Sequence, residues 1–156
     1  MSPTGVERRF SLDSNILVYA ADQDAGANRH GTSVALIEQA AKSDCVLTLQ
    51  SLTEFFSATT RKRLLRPHDA GAFVSDWLAV FPVAPNAAID LAEAMRVLEG
   101  HRISFRDAML WATARRAGCS AILSEDFQDG QVLQGVRFIN PFLRKNDAYV
   151  EALLGS

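Results

Sequence analysis

Short, almost wholly apolar runs recur along this chain, each followed by a longer segment with helical spacing. The clearest are Arg9-Phe10-Ser11-Leu12, Cys45-Val46-Leu47-Thr48-Leu49, Ala121-Ile122-Leu123-Ser124 and Val136-Arg137-Phe138-Ile139, with Phe81-Pro82-Val83 as a shorter extended piece. A strand with one face in water alternates apolar and polar residues; runs apolar at nearly every position need cover on both faces. Helices placed between such strands provide that cover. The pattern therefore predicts an α/β fold of three layers, α/β/α, around a mostly parallel central sheet.

The helical segments have recognisable starts and stops. Ile16 to Ala20 reads as a short buried helix after Asp13, and the segment from about Arg29 to Lys42 has helical spacing at Val34, Ile37 and Ala41. Ser51 and Glu54 have capping-box spacing, opening a helix that ends near Leu65 among Arg61, Lys62, Arg63 and Arg66. Pro67 suits the first turn of the next, to about Val80. Asn86 is placed to cap a helix closed by Gly100, and Ser104 with Asp107 forms a second capping box before a helix that stops at Gly118. After Phe142, Tyr149, Val150, Leu153 and Leu154 share one side of a short helix that packs on the domain or on a partner.

A length of 156 residues suits one domain, read as a core over 9–142 and a tail over 143–156. Met1 to Arg9 contain no apolar leader core, and no run reaches the ~20 apolar residues that span a bilayer, so a cytoplasmic, non-membrane protein is expected. Cys45 and Cys119 lack zinc-type spacing and read as buried thiols in a reducing compartment. A net charge of −2 excludes a generic basic coat for nucleic acid, but a local cationic site needs no basic chain.

Four carboxylates carry the functional signal. Asp13 and Asp126 fall at strand exits, and Glu54 and Asp107 in helix starts, so all four can face the crevice at the carboxyl edge of one sheet. Each alone has an ordinary explanation: Asp13 as a helix N-cap, Glu54 and Asp107 as the acidic ends of capping boxes, Asp126 as a turn residue before Gly130. Those explanations do not account for four acids at one edge. Crowded carboxylates repel one another unless a cation lies between them, and Mg²⁺ or Mn²⁺ is the cation that hard oxygen ligands favour.

The runs Leu12-Asp13-Ser14-Asn15-Ile16-Leu17, Leu52-Thr53-Glu54-Phe55, Phe105-Arg106-Asp107-Ala108 and Leu123-Ser124-Glu125-Asp126-Phe127 resemble, in order and spacing, the four acidic motifs of PIN-domain ribonucleases. The resemblance covers about Arg9 to Phe142, and the compact length with Asn140-Pro141-Phe142 at the end looks most like the VapC toxins of toxin–antitoxin pairs. It implies a Mg²⁺- or Mn²⁺-dependent endoribonuclease that hydrolyses RNA with metal-activated water. Asp13, Glu54, Asp107 and Asp126 are its implied catalytic and metal-binding acids. It also implies a homodimer and a cognate antitoxin protein that blocks the site.

Around these acids, Asn15 is placed to orient Asp13 or a water, and Ser124 either touches a metal water or phosphate oxygen or caps its strand end. Arg106 is placed to reach a substrate phosphate or an acidic neighbour. Asp129 reads as a turn residue ahead of Gly130, with a second-metal role as the other reading. Arg61, Lys62 and Arg63 are either a solvated face or phosphate contacts. Phe55, Phe56, Phe73 and Trp77 are either core or interface, and His30, His68 and His101 share no ligand spacing. Two further functional classes fit a metal-binding acidic edge: a non-catalytic scaffold, and a Mg²⁺-dependent phosphoryl-transfer domain. The second would want a paired acid beside Asp13 and a supporting lysine, and the only late lysine is Lys145.

Overall fold

The structure, a computed structural model, describes residues 8–155. Most of the N-terminal stretch read above as lacking an apolar leader therefore lies outside the described residues. The elements in order are β1 (Phe10–Leu12), α1 (Ser14–Ala21), α2 (Ala27–Ala40), β2 (Leu47–Thr48), α3 (Leu49–Arg61), α4 (Pro67–Val80) and β3 (Val83–Ala84). These are followed by α5 (Ala88–Leu98), α6 (Phe105–Arg116), β4 (Ala121–Leu123), β5 (Val132–Leu133), β6 (Val136–Ile139) and α7 (Asp147–Leu153), a 3₁₀ turn at Arg144–Asn146 leading into α7.

The strands form a sheet in the order β1-β4-β6-β5, parallel except for the β5–β6 pair. A parallel pair, β2-β3, joins its open side through the Phe10–Cys45 bridge, with Val46 N–H donating to the Phe10 carbonyl at 3.0 Å. The chain thus builds β1, β2 and β3 in one direction and then returns to lay β4 on the other side of β1. That reversal opens a crevice beyond the carboxyl ends of β1 and β4, where ligands bind in sheets of this kind.

The apolar runs behave as two-faced strands. Along β4, Ala121 and Leu123 enter one core cluster with Phe10, Leu12 and Phe55, while Ile122 enters the other with Trp111, Val136 and Phe138. The period of two sends side chains to both helical layers, as the sequence predicts. α6 is buried at Ala108, Leu110, Trp111, Ala112, Thr113 and Ala114, almost all the way round, so little of it except its ends meets solvent. The tail packs on its own domain, with Leu153 buried and Val150 and Leu154 against the first cluster. Phe55, Phe73 and Trp77 form edge and tilted ring contacts with centroids 4.8–6.0 Å apart, so these three serve the core, and of the four aromatics only Phe56 is exposed.

Several element ends differ from the sequence reading. α3 starts at Leu49, because Thr48 is its N-cap and accepts from Ser51 N–H at 3.1 Å. Leu49 therefore leaves the strand, and Glu54 lies in the second turn instead of closing a capping box with Ser51. The helix ends at Arg61, before Leu65, and Arg63 takes a positive φ of 58° in the turn. Asn86 does not cap α5: its amide donates to Thr113 Oγ1, and Asp90 instead accepts from Ala87 N–H at 2.8 Å. β5, only Val132 and Leu133, is too short to stand out in the sequence. Among the described residues no helix is long and apolar enough to cross a membrane.

Candidate functional site

Each acid reaches the crevice by a different local device. Asp13 leaves β1 and caps α1, its Oδ1 accepting from Ser14 N–H at 2.7 Å, and it is completely buried. On α3 the buried stripe of Leu52, Phe55 and Thr59 faces the core, so the neighbouring stripe of Glu54, Ser57, Ala58 and Arg61 lines the cleft. Asp107 is the third residue of α6. Ser104 Oγ accepts from its N–H at 3.1 Å, but its carboxylate turns to the crevice instead of completing the capping box. Asp126 follows β4 in a turn fixed by its N–H donating to Ser124 Oγ at 3.0 Å.

Three of the four acids meet on one guanidinium. Arg106 Nη2 donates to Asp13 Oδ1 at 2.6 Å and to Glu54 Oε1 at 2.6 Å, Nε donates to Glu54 Oε2 at 2.9 Å, and Nη1 donates to Asp107 Oδ1 at 2.6 Å. Nη2 also lies 2.9 Å from Ser14 Oγ. Among the described residues no three acids gather as a metal shell would gather them; they gather around Arg106. Of the two readings open for Arg106, the acidic neighbours are the ones it touches here.

The charge balance of this clasp is uneven. One guanidinium faces three carboxylates, a formal excess of two negative charges, with Asp126 on the wall of the same cleft. Burial works against the Arg106 charge, but Asp13 and then Glu54 outweigh it and hold the guanidinium more firmly protonated than usual. Asp126 feels the excess from the other side. Loss of hydration, then the charges of Asp13 and Asp107, push its carboxyl above the usual value, only partly offset by Asn15 and Arg106. Asp13 and Asp107 thus act on Asp126 in the direction that crowding of acids predicts.

The supporting residues are tied into the same network. Ser124 is buried and donates to Asp13 Oδ2 at 2.7 Å, so its hydroxyl fixes Asp13 and the Asp126 turn together. That single proton being committed, Ser124 can only accept from Asn15 Nδ2, at 3.3 Å, which turns Asn15 Oδ1 away as a buried oxygen without a partner. Gln50, which the sequence reading passed over, donates through Nε2 to Glu54 Oε2 at 3.3 Å and to the Arg106 carbonyl at 3.0 Å, and its Oε1 is likewise unpartnered. Its position four residues before Glu54 on one helix face was the available signal. Ser14 was also passed over, although it directly follows Asp13.

Other candidates fall elsewhere. Asp129 accepts from Asn140 N–H and Asn146 Nδ2, both at 2.8 Å, and from Lys145 Nζ at 3.4 Å. These bonds overcome the cost of burial and hold its carboxyl below the usual range, in keeping with a turn residue that ties down the C-terminal segment. Glu125 pairs with Arg29 at 3.1 Å and accepts from Tyr19 Oη. Of the basic group only Arg61 lines the acidic cleft; Arg63 lines a separate depression with Leu64 and Arg66. Cys45 and Cys119 are free and buried, burial pushing the Cys119 thiol up to about 12.

Asp107 and Asp126 lie where two open clefts meet. A cleft of about 510 Å³ bounded by Glu54, Ser57 and Arg61 shares Ser104, Asp107 and Asp126 with a second of about 310 Å³ that continues to Arg102, Gln128 and Gln131. Carboxylates in the middle with an arginine at each end suit an extended polyanion, whose phosphates meet the arginines while one phosphate crosses the acids. The donor set, carboxylate oxygens with two unpartnered amide oxygens close by, fits a small hard divalent cation.

No curated protein sequence matches the chain significantly. Solved structures do resemble it. VapC20 of Mycobacterium tuberculosis, a sarcin–ricin-loop-cleaving toxin, superimposes with a TM-score of 0.61 at 24% identity over 75% of this chain and 91% of that one. A toxin–antitoxin complex from Klebsiella pneumoniae gives 0.61 at 16% identity over 84% and 96%. PAE2754 from Pyrobaculum aerophilum gives 0.62 at 18% identity over 99% and 100%. These likenesses establish the α/β/α fold. The PIN domain model matches residues 11–152, from the strand that delivers Asp13 to the C-terminal helix, and the chain therefore belongs to the PIN domain family.

Proposed function

We propose that this protein is a divalent-metal-dependent endoribonuclease, the toxin of a cytoplasmic toxin–antitoxin pair. The observation that carries the reading is the uncompensated charge at the switch point: Asp13, Glu54 and Asp107 share one guanidinium, with Asp126 beside them. A fold that crowds four acids without matching cations loses stability for no packing reason, and a doubly charged ion would remove the excess. Asp13, Glu54, Asp107 and Asp126 would hold Mg²⁺ or Mn²⁺, which when bound acidifies water and offsets charge on a phosphoryl oxygen.

The chain's own residues then have definable tasks. Ser124 and the Ser14 N–H fix both oxygens of Asp13, so the buried carboxylate keeps one orientation while substrate enters. Gln50 holds Glu54 from the same helix face. Arg61 and Arg102 receive phosphates on either side of the scissile bond, and the open groove admits a single strand or a splayed loop better than a duplex. Hydrolysis adds water to phosphorus and releases one ester oxygen with a proton. Solvent in the open groove supplies that proton, which leaves Asp126 as a carboxylate able to serve as a cation ligand.

An antitoxin and a second copy of the chain are the partners this reading assigns; support for the antitoxin is the fold shared with toxin–antitoxin complexes such as that of Klebsiella pneumoniae. The phosphoryl-transfer alternative loses support because Lys145 pairs with Asp129, not with Asp13. The scaffold alternative makes a different prediction. Incubating the protein with mixed structured and single-stranded RNA, with Mg²⁺ or Mn²⁺ and then with EDTA, is expected to give cleavage that the chelator abolishes and Asp13→Asn removes. Metal binding without cleavage of any RNA would replace the enzyme reading with the scaffold.

A further inference from the structure

Arg106 stands at the wrong end of its helix for a cation. It is the second residue of α6, where the helix dipole presents partial positive charge and acids are favoured. Nothing apolar recommends the place either, since a third of the side chain is exposed to the cleft. What holds the guanidinium there is the carboxylates, and it satisfies them incompletely: Nη2, with two protons, faces Asp13, Glu54 and Ser14 at 2.6, 2.6 and 2.9 Å.

We propose, resting on the metal-dependent reading above, that Arg106 is a displaceable counter-ion: it occupies the cation position among Asp13, Glu54 and Asp107, and a divalent cation must expel it to bind. Both cannot stay. The same carboxylate oxygens that accept from Arg106 are the hard ligands the ion needs, and a doubly charged ion beside the guanidinium would repel it. The surroundings permit the exchange. Gln50 grips the Arg106 carbonyl and Glu54, and Ser124 grips Asp13, so the backbone and these two acids keep other bonds while the guanidinium moves. The cleft that Arg106 itself lines, about 510 Å³, has room for the side chain outside the clasp. Arg106 thus positions the acids in the metal-free protein and sets a threshold for loading them.

The consequence is measurable without any substrate. A clasp closed roughly nine-tenths of the time lowers the apparent metal affinity about tenfold, because only the open form competes for the ion. Free Mn²⁺ measured by electron paramagnetic resonance should show Arg106→Gln binding Mn²⁺ about tenfold more tightly than the wild type. The metal-free variant should melt earlier and gain more on saturation with Mn²⁺. Equal or weaker Mn²⁺ binding by a variant with native circular dichroism would overturn the counter-ion role while leaving the nuclease reading standing. No Mn²⁺ binding by either protein would overturn both.

A second measurement needs no variant. The Arg106 Nε–H, bonded to Glu54 Oε2, should exchange slowly with solvent in the metal-free wild type and lose that protection as Mg²⁺ is titrated. A resonance unmoved at saturating Mg²⁺ would end the proposal even if Arg106→Gln failed to fold.

Discussion

α6 carries two arginine–carboxylate clusters, one at each end, and they are built on opposite principles. At its C-terminal end Arg116 meets one acid, Asp90, donating from Nε to Oδ1 at 2.8 Å and from Nη2 to Oδ2 at 3.1 Å, and Oδ2 also accepts from Thr113 Oγ1 at 2.9 Å and Ala87 N–H at 2.8 Å. Although burial alone would raise it, these bonds hold the Asp90 carboxyl below its usual range. The cation also lies where the helix dipole favours it. At the N-terminal end Arg106 faces three acids against the dipole, and Asp126 nearby is pushed up instead of down. A balanced cluster fastens α5 to α6; an unbalanced one leaves charge for something else to neutralise.

The contrast is broken most sharply by removing acids from each end. Glu54→Gln should lower Mg²⁺-dependent RNA cleavage by at least on the order of 10²-fold, the loss seen when even outer-shell partners of a metal are removed, with little change in urea unfolding. Asp90→Ala should do the reverse. It strands the Ala87 N–H and the Thr113 hydroxyl, and should cost about 2–4 kcal/mol in urea unfolding while leaving cleavage per folded molecule intact. If Asp90→Ala abolished cleavage without loss of stability, the division of labour along α6 would be wrong.

A smaller effect sharpens it through pH. The raised Asp126 carboxyl favours the protonated form in the fold, so its contribution to stability is present below the ordinary value of 3.8 and lost as pH climbs through the raised value. Asp90 has the opposite sign: its contribution is present above 3.8 and lost as pH falls through the depressed value. Without metal, Asp126→Asn should therefore stabilise the protein at neutral pH, by less than about 1 kcal/mol because the group is partly exposed and screened. Urea midpoints in EDTA from about pH 3 to pH 7 would show the gain growing as pH rises. A variant less stable than wild type at neutral pH would remove Asp126 from the frustrated set.

Much of the fold was legible because local chemistry and global architecture agree. The apolar runs of β1, β4 and β6 needed two covered faces and received them, and Pro67 and Ser104 open α4 and α6 as their side chains dictate. The failures share a cause. Thr48 and Ser51 are both good caps, and only packing of the β2–α3 junction selected Thr48; Asn86 was drawn from its cap by Thr113 on another helix. Glu54 reads as the acidic end of a capping box, and that explanation fails because the helix starts two residues before Ser51; its carboxylate lines the cleft all the same.

The primary structure by itself determined which residues would stand at strand exits and helix starts, because strand period, capping chemistry and proline act within a few residues. It thereby put Asp13 and Asp126 just past strand ends and Asp107 in a first helical turn. Only the tertiary structure decided that Arg106, adjacent to Asp107 in sequence, would reach across to Asp13 and Glu54, respectively 93 and 52 residues away. Ion pairing between distant segments depends on the sheet order that brings β1, β2 and β4 side by side, and no local preference encodes that order.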